Sequence, residues 1–548
     1  MCRLVAVSLV AWHAWVSRHI MSMDGVCYID MGEAYLRGDW HTAINGLWSP
    51  LYSWLIGALF AVASPAPTWE FPLVHVVNFM TYLASLAGFH FLLCQFLEDQ
   101  YVGDRSSAGT IGVPRWAWIS LGYGLSTWAA LTMVTVRDAT PDLCVAACVF
   151  VICGLLIKVR RGAATRRTFA AFGVMLGLGY LSKAVMFPLA FVFLFALFLS
   201  QSASRKRISN TVLAALVFLV MAAPLIVALS TARGRATFSD AGRLNYAWHV
   251  NGVDSIYWTG DPVGSGRPVH GYRRIFDHPA VFEFATPVGG THPGWYDPSY
   301  WYEGLTIDFD WSKQTAAFLR AGTLYYEIFV NWLGPILLVL VALYLSGGRP
   351  RIAFDRICAQ WALLAPCVVA LLSYAAVHVE SRYIGPFVVV MLLSLLAAVR
   401  LPQSSDSRQR LNIACVIMLA FMTAKVGLAA GRIALNADAY AKQPSYEIAK
   451  GLDGMGLEAG DRVAHFGFGS PVWARSARLR LSAEMFFRDV EDKEQFLSLD
   501  EQGKRELYAA LRRSGTRLIV AELGAANLSI GEGWARIGQT DFYTYLLD

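Results

Sequence analysis

The stretch that decides the fold is DLCVAACVFVICGLLIKVRRGAATRRTFAAFGVMLGLGYLSKAVMFPLAFVFLFALFLS, residues 142–200. An apolar run ends in a short loop carrying Lys158, Arg160, Arg161, Arg166 and Arg167, and a second apolar run of 168–200 follows. Three further loops have the same character: 201–210 with Arg205, Lys206 and Arg207, 347–356 with Arg349, Arg351 and Arg356, and 400–410 with Arg400, Arg408 and Arg410. The only acids in the four loops are Asp355 and Asp406. Apolar stretches of roughly 20 residues separated by cationic loops read as membrane spans with those loops on the cytoplasmic side.

Composition agrees. The 548 residues are 56% hydrophobic and 16% charged, against about 25% charged in an average soluble protein. Eighteen Trp, 23 Tyr and 31 Phe demand burial and exclude a disordered chain. The net charge of +6 comes from the cytoplasmic loops and does not point to nucleic acid. Seven of the nine cysteines lie within apolar segments, so no disulfide framework is expected. Cys144 and Cys148 share a helix face with no His or carboxylate beside them and read as core packing. Leu4–Met23 is followed by no small-residue cleavage site and reads as an uncleaved first span.

Between two cytoplasmic loops the chain crosses an even number of times. That parity splits 168–200 into two helices with Lys183 at the outer turn. It makes 211–230 an outward span, 324–346 an inward one, 357–377 with 383–399 a hairpin with an outer tip, and 411–431 the last outward span. Traced backwards it gives spans at 142–157, 115–136 and 68–97, and leaves 47–63 as a juxtamembrane or re-entrant segment. The expectation is an all-α polytopic membrane domain, 1–431, with about eleven transmembrane helices.

Three outer regions remain. The first, 23–46, is an acidic loop with Asp24, Asp30, Glu33 and Asp39. The second, 231–323, is a long loop rich in Trp, Tyr, Gly and Pro, ordered but with little regular structure. Its aromatics suit sugar stacking and the membrane interface equally. The third, 432–548, reads as a small soluble α/β domain, with strands at Arg462–Phe466, Arg517–Val520 and Phe542–Leu547 and a helix at Asp500–Arg513. Its Gly467-Phe468-Gly469 is too short for a dinucleotide fingerprint.

The same topology gathers ionisable residues on the outer face: Asp24 and Asp30; Arg137, Asp138 and Asp142; Lys183; His378, Glu380 and Arg382. Charges near membrane depth are costly and default to function, the alternative being helix caps and interfacial salt bridges. A carboxylate can serve as general base on an acceptor hydroxyl, while Lys and Arg hold a phosphate and stabilise its developing charge. With no nucleotide-binding loop in the chain, the energy of transfer must arrive with the donor.

These residues sit in recognisable surroundings. Asp24-Gly-Val-Cys-Tyr28-Ile-Asp30, Gly38-Asp-Trp40 and Trp48-Ser-Pro50-Leu-Tyr52 resemble the first periplasmic loop of GT-C membrane glycosyltransferases, specifically the protein O-mannosyltransferase and aminoarabinose transferase group. Thr140-Pro141-Asp142, Gly177-Leu-Gly-Tyr-Leu-Ser-Lys183 and Glu380-Ser-Arg382-Tyr383 with Pro386 follow in the same order. The resemblance implies a bacterial inner-membrane enzyme with a periplasmic C-terminal domain. It also implies a polyprenyl-phosphate-sugar donor, an inverting transfer and a catalytic Asp at Asp24. It leaves a divalent metal open, as it does the acceptor among lipid, protein and glycan. Where the family often has a second acid after that Asp, Gly25 stands here, and Asp30 is the candidate for its role, with Glu33 as an auxiliary acid or substrate contact. The aminoarabinose branch carries a Lys before Pro-Leu-Tyr. Here Trp48-Ser49 precede Pro50, which shifts the phosphate contact to Lys183, Arg382 and Arg137. Asp138, Asp142, His378, Glu380 and Tyr383 complete the substrate-binding candidates. Two other readings share the hydropathy: a polymerase or ligase of lipid-linked glycans, and a lipid or sugar transporter, which the lack of an inverted repeat disfavours.

Overall fold

The computed structural model describes all residues except 104–108, 203–204, 285–287, 348–349, 525–531 and 548. Asp104, Arg105 and Arg349 therefore lie outside the described residues, as does the side chain of Arg205. The chain divides into two units, each built from three separated segments. Unit one is Met1–Val16, Val76–Val250 and Phe309–Ala437; unit two is Ser17–His75, Asn251–Asp308 and Asp438–Asp548.

Each of the eleven segments expected to cross contains a helix. Among the described residues four helices are long and apolar enough to cross a membrane: Pro67–Gln100, Asp142–Arg160, Lys206–Arg233 and Ser405–Leu435. Two bent pairs raise the number to at most six, fewer than the eleven expected. The expected span 324–346 is broken by a 69° bend between Trp311–Trp332 and Gly334–Ser346. Pro335 follows the break and supplies no N–H, and the turn before it, Glu327–Trp332, is π-helical. A 76° bend likewise separates Arg351–Cys358 from Trp361–Ala375. The first helix is Cys2–Val16, shorter than the span Leu4–Met23. Between Arg166–Ser182 and Met186–Ser200 the chain turns at Lys183. A short antiparallel pair, β1 (Thr110–Gly112) with β4 (Arg400–Pro402), ties two loops of unit one together.

Unit two departs most from expectation. The acidic region is a helix, Met23–Arg37, rather than a loop. Ser22 caps it by accepting from the Gly25 N–H, and Gly38 ends it in the left-handed conformation with φ of 70°. It packs on the helix Pro50–Ala63, within the segment read as juxtamembrane. Their backbones meet at Gly32 and Gly57: a Cβ on Gly32 would stand 2.7 Å from the Ser53 carbonyl oxygen. Any larger residue there separates the two helices.

The rest of unit two is built on a seven-stranded sheet. Its strands are β2 (Arg273–Phe276), β3 (Val281–Glu283), β5 (Arg462–Gly467), β6 (Arg480–Phe486), β7 (Leu518–Glu522), β8 (Trp534–Arg536) and β9 (Phe542–Leu546), in the order β2-β3-β6-β5-β7-β9-β8. β5 runs parallel to β6 and β7; the other pairings are antiparallel. The sheet is thus not confined to 432–548. The hairpin β2–β3 comes from the long 231–323 region, which carries more regular structure than its Gly and Pro content implied. The helix Glu501–Arg513 covers the sheet with Leu507 and Leu511, both fully buried; full burial of such a side chain stabilises by roughly 1.5–3 kcal/mol.

A buried carboxylate stitches the loop region to this sheet. Glu484 on β6 meets His465 Nδ1 at 2.9 Å and His292 Nε2 at 3.1 Å, and accepts from the Tyr257 hydroxyl. Burial presses its carboxyl upward, but the two imidazoles outweigh that and hold it well below the usual carboxylate range.

Candidate functional site

In unit one, six of the candidate residues converge at three helix ends. Asp142 opens the helix Asp142–Arg160 and is buried. Lys183, at the turn after Arg166–Ser182, donates to Asp142 Oδ1 at 2.6 Å. Arg382 opens the helix Ser381–Ala397, with its Nε 3.8 Å from Asp142 Oδ2. That guanidinium forks onto Glu380, Nε donating at 2.7 Å and Nη2 at 3.3 Å. Tyr383 donates its hydroxyl to Glu380 at 3.0 Å and lays its ring under Lys183, whose Nζ is 3.5 Å from the centroid. His378 Nε2 is 3.4 Å from Glu380.

The result is two cations and two anions around an aromatic face. Burial raises the Glu380 carboxyl, yet the bonds from His378 and Arg382 overcome this and leave it well below its ordinary value. His249, from the region read as a loop, stacks on His378 at 3.9 Å with an interplanar angle of 11°. Burial, and then His378, push its pKa down to about 4. Arg137 and Asp138 lie in the turn ahead of the helix Asp142–Arg160. Arg137 is exposed, and Asp138 accepts from the Thr135 hydroxyl at 2.9 Å within its own turn.

In unit two, the helix Met23–Arg37 sorts its acids by face. Asp30 and Glu33, three residues apart, share a face, and both meet Arg475. Arg475 Nη1 donates to Asp30 Oδ1 at 2.9 Å and to Glu33 Oε2 at 3.0 Å, and its Nε donates to Glu70 at 2.7 Å. Thr291 donates its backbone N–H to Asp30 Oδ2 at 2.7 Å and its hydroxyl to Oδ1 at 3.0 Å. Both Asp30 oxygens are therefore engaged in a structural cluster. A cleft of ≈ 490 Å³ opens beside it, lined also by Arg37, Arg478 and Arg480.

Asp24 lies two turns back, half-buried, where the Trp295 indole donates to Oδ1 at 3.0 Å. Arg475 was missed from sequence, and Trp295 was read only as one of the aromatics of the long outer region, without its bond to Asp24. Arg475 sits in a four-residue turn, Trp473–Ser476, and nothing local marks it among the neighbouring arginines. Among the described residues no three His, Cys, Asp or Glu groups are placed to hold a metal.

Against known proteins, the family model described as dolichyl-phosphate-mannose-protein mannosyltransferase matches residues 121–227, which include Asp142 and Lys183. No curated protein matches the sequence. Among solved structures, ArnT from Cupriavidus metallidurans in the apo state is similar at TM-score 0.53 and 13% identity, over 99% of this chain and 97% of that one. ArnT bound to undecaprenyl phosphate gives 0.55 and 13%, over 99% and 96%. The Archaeoglobus fulgidus oligosaccharyltransferase complexed with Zn and sulfate gives 0.50 and 11%, over 95% of this chain and 67% of that one. The chain has the fold of the GT-C membrane glycosyltransferases and resembles their O-mannosyltransferase and aminoarabinose transferase group.

Proposed function

We propose that this multi-pass membrane protein transfers a sugar from a polyprenyl-phosphate-linked donor to an acceptor at the periplasmic face, with Asp24 as general base. The observation that carries the reading is the likeness to ArnT through 99% of the chain, in a structure where that protein holds undecaprenyl phosphate. The chemistry of the two clusters agrees with it. In unit one, Lys183 and Arg382 are cations whose partners, Asp142 and Glu380, keep them ionised and oriented. An arriving phosphate replaces part of those ion pairs, and the cations stabilise the charge that grows on it as the sugar departs. In unit two, Asp24 takes the proton of the acceptor hydroxyl as that oxygen attacks the sugar. Asp30 and Glu33, bound by Arg475, hold the helix that carries Asp24 and do not act on substrate.

The test is release of free polyprenyl phosphate from a radiolabelled polyprenyl-phosphate hexose by the protein in nanodiscs, with envelope extract as acceptor. Wild type releases it, and Asp24→Asn slows release by about 10²–10⁴-fold, the range of a lost general base. Unchanged release by Asp24→Asn removes Asp24 from the reaction. No release from any polyprenyl-phosphate sugar removes the transfer reading.

A further inference from the structure

Trp295 lies in a short turn, Pro293–Tyr296, that follows His292. Five successive backbone carbonyls, from His292 through Tyr296, each accept a hydrogen bond. The His292 carbonyl takes the N–H groups of Trp295 at 3.0 Å and Tyr296 at 2.8 Å. That of Pro293 takes the Trp301 indole at 2.8 Å, and that of Gly294 the Tyr272 hydroxyl at 3.3 Å. The Trp295 carbonyl takes the Cys27 thiol at 3.7 Å, and that of Tyr296 takes Asn45 at 2.6 Å and the Trp48 indole at 3.1 Å. The His292 ring is pinned on Glu484. A segment of irregular backbone bonded at every carbonyl has a single arrangement, and its one half-exposed indole is aimed at Asp24.

We propose that Trp295 is a positioning residue for the Asp24 carboxylate, fixing one oxygen through its indole N–H so that the base meets the acceptor hydroxyl in one orientation. This rests on the reading of Asp24 as general base. A neutral donor orients a carboxylate without neutralising it, which an arginine at the same place would do. The Trp48 ring packs edge-on against the Trp295 ring, 6.3 Å away at 62°. A hydrogen bond to the charged form also favours that form, so losing the indole raises the pH at which Asp24 becomes a base. Other titratable groups at this corner are Cys27, Asp30, Tyr296, Asp297 and His292. Burial, then Asp30 and Asp24, raise the Cys27 thiol far above the assay range, and burial does the same to Tyr296.

Trp295→Phe keeps an aromatic ring and removes the donor. The expected result is a tenfold or greater fall in kcat for polyprenyl phosphate release, an unchanged KM for the donor, and an acid limb of the kcat profile moved to higher pH. A fall in kcat with the limb unmoved overturns the proposal, since a structural defect alone produces it; wild-type kinetics overturn it too. A second measurement is independent of transfer: 5-fluorotryptophan labelling and ¹⁹F NMR of the intact protein in nanodiscs. The resonance lost in Trp295→Phe titrates with pH in wild type and not in Asp24→Asn. A titration that persists in Asp24→Asn belongs to Asp297 or His292 and overturns the pairing. A titration abolished by Asp24→Asn, in a protein that releases no polyprenyl phosphate, supports the Trp295–Asp24 pairing and removes the transfer reading alone.

Discussion

The two units solve opposite charge problems. In unit one, Lys183 and Arg382 face Asp142 and Glu380, two charges of each sign, with the cations 23% and 21% exposed. In unit two, Arg475 meets Asp30, Glu33 and Glu70 together, with Arg37 a further 3.5 Å partner of Glu33, and it is only 10% exposed. A balanced, partly open cluster can exchange one of its anions for a ligand's phosphate without leaving a buried charge uncompensated. An enclosed cation shared by three carboxylates cannot; its removal strips Glu70 and Asp30 of their ion-pair partner and leaves Asp30 only the neutral donors of Thr291. On the proposed reading, the difference separates charges that would meet a phosphate from charges that hold the fold, although both sets look alike in the sequence.

Arg475→Met breaks the contrast most severely. Unit two is expected to lose about 3–5 kcal/mol, the cost of orphaning buried partners of an ion pair, read as a lowered thermal midpoint in detergent. Adding Asp30→Asn, Glu33→Gln and Glu70→Gln to the same chain restores much of the loss if like-charge repulsion is its cause. A loss that persists in the quadruple variant shows that packing of the guanidinium, not charge, holds the unit. Lys183→Ala is the matching cut in unit one. It lowers the release rate by about 10²-fold, the scale of one lost electrostatic contact to a developing charge, and shifts the thermal midpoint far less than Arg475→Met. Equal losses of stability in the two variants erase the distinction.

What the sequence disclosed follows the same line. The helix positions of unit one were legible because apolar runs and cationic loops are local signals, and parity alone brought Asp142, Lys183, His378, Glu380 and Arg382 to one face. The bends at 333 and 359–360 were not, since hydropathy averages across them. In unit two the helix Met23–Arg37 carried readable caps in Ser22 and Gly38, but its acids were read as a solvated loop. Asp30 and Glu33 are held because Arg475, 442 residues beyond Glu33, joins them, and no local pattern predicts so remote a partner. Likewise, β2 and β3 are short strands in Gly- and Pro-rich sequence that form a hairpin ordered by the pairing of β3 with β6.

The smallest effect sharpens the comparison in acid. His249 of unit one has its pKa pushed down to about 4 from an ordinary 6.5 by burial and by His378. Glu380 favours its protonated form, and Arg320 opposes it. The unfolded chain therefore binds the proton first, and between pH 6.5 and 4 stability falls as pH falls. Because the ring is partly exposed, the contribution is discounted to about 1 kcal/mol. Glu484 of unit two loses stability in the same direction but in a lower pH window. Its carboxyl is held below the ordinary 4.5, so its contribution is complete above that pH and is lost only as pH falls further. At pH 5, then, the His249 penalty is already developing in unit one while the Glu484 cluster is intact in unit two. His249→Asn removes the titrating ring, and the decline in thermal midpoint from pH 6.5 to 4.5 becomes shallower by a few degrees. Glu484→Gln leaves that slope unchanged and lowers the midpoint at every pH above 5. An unaltered slope in His249→Asn means that the stacked imidazole pair is not what makes unit one sensitive to acid.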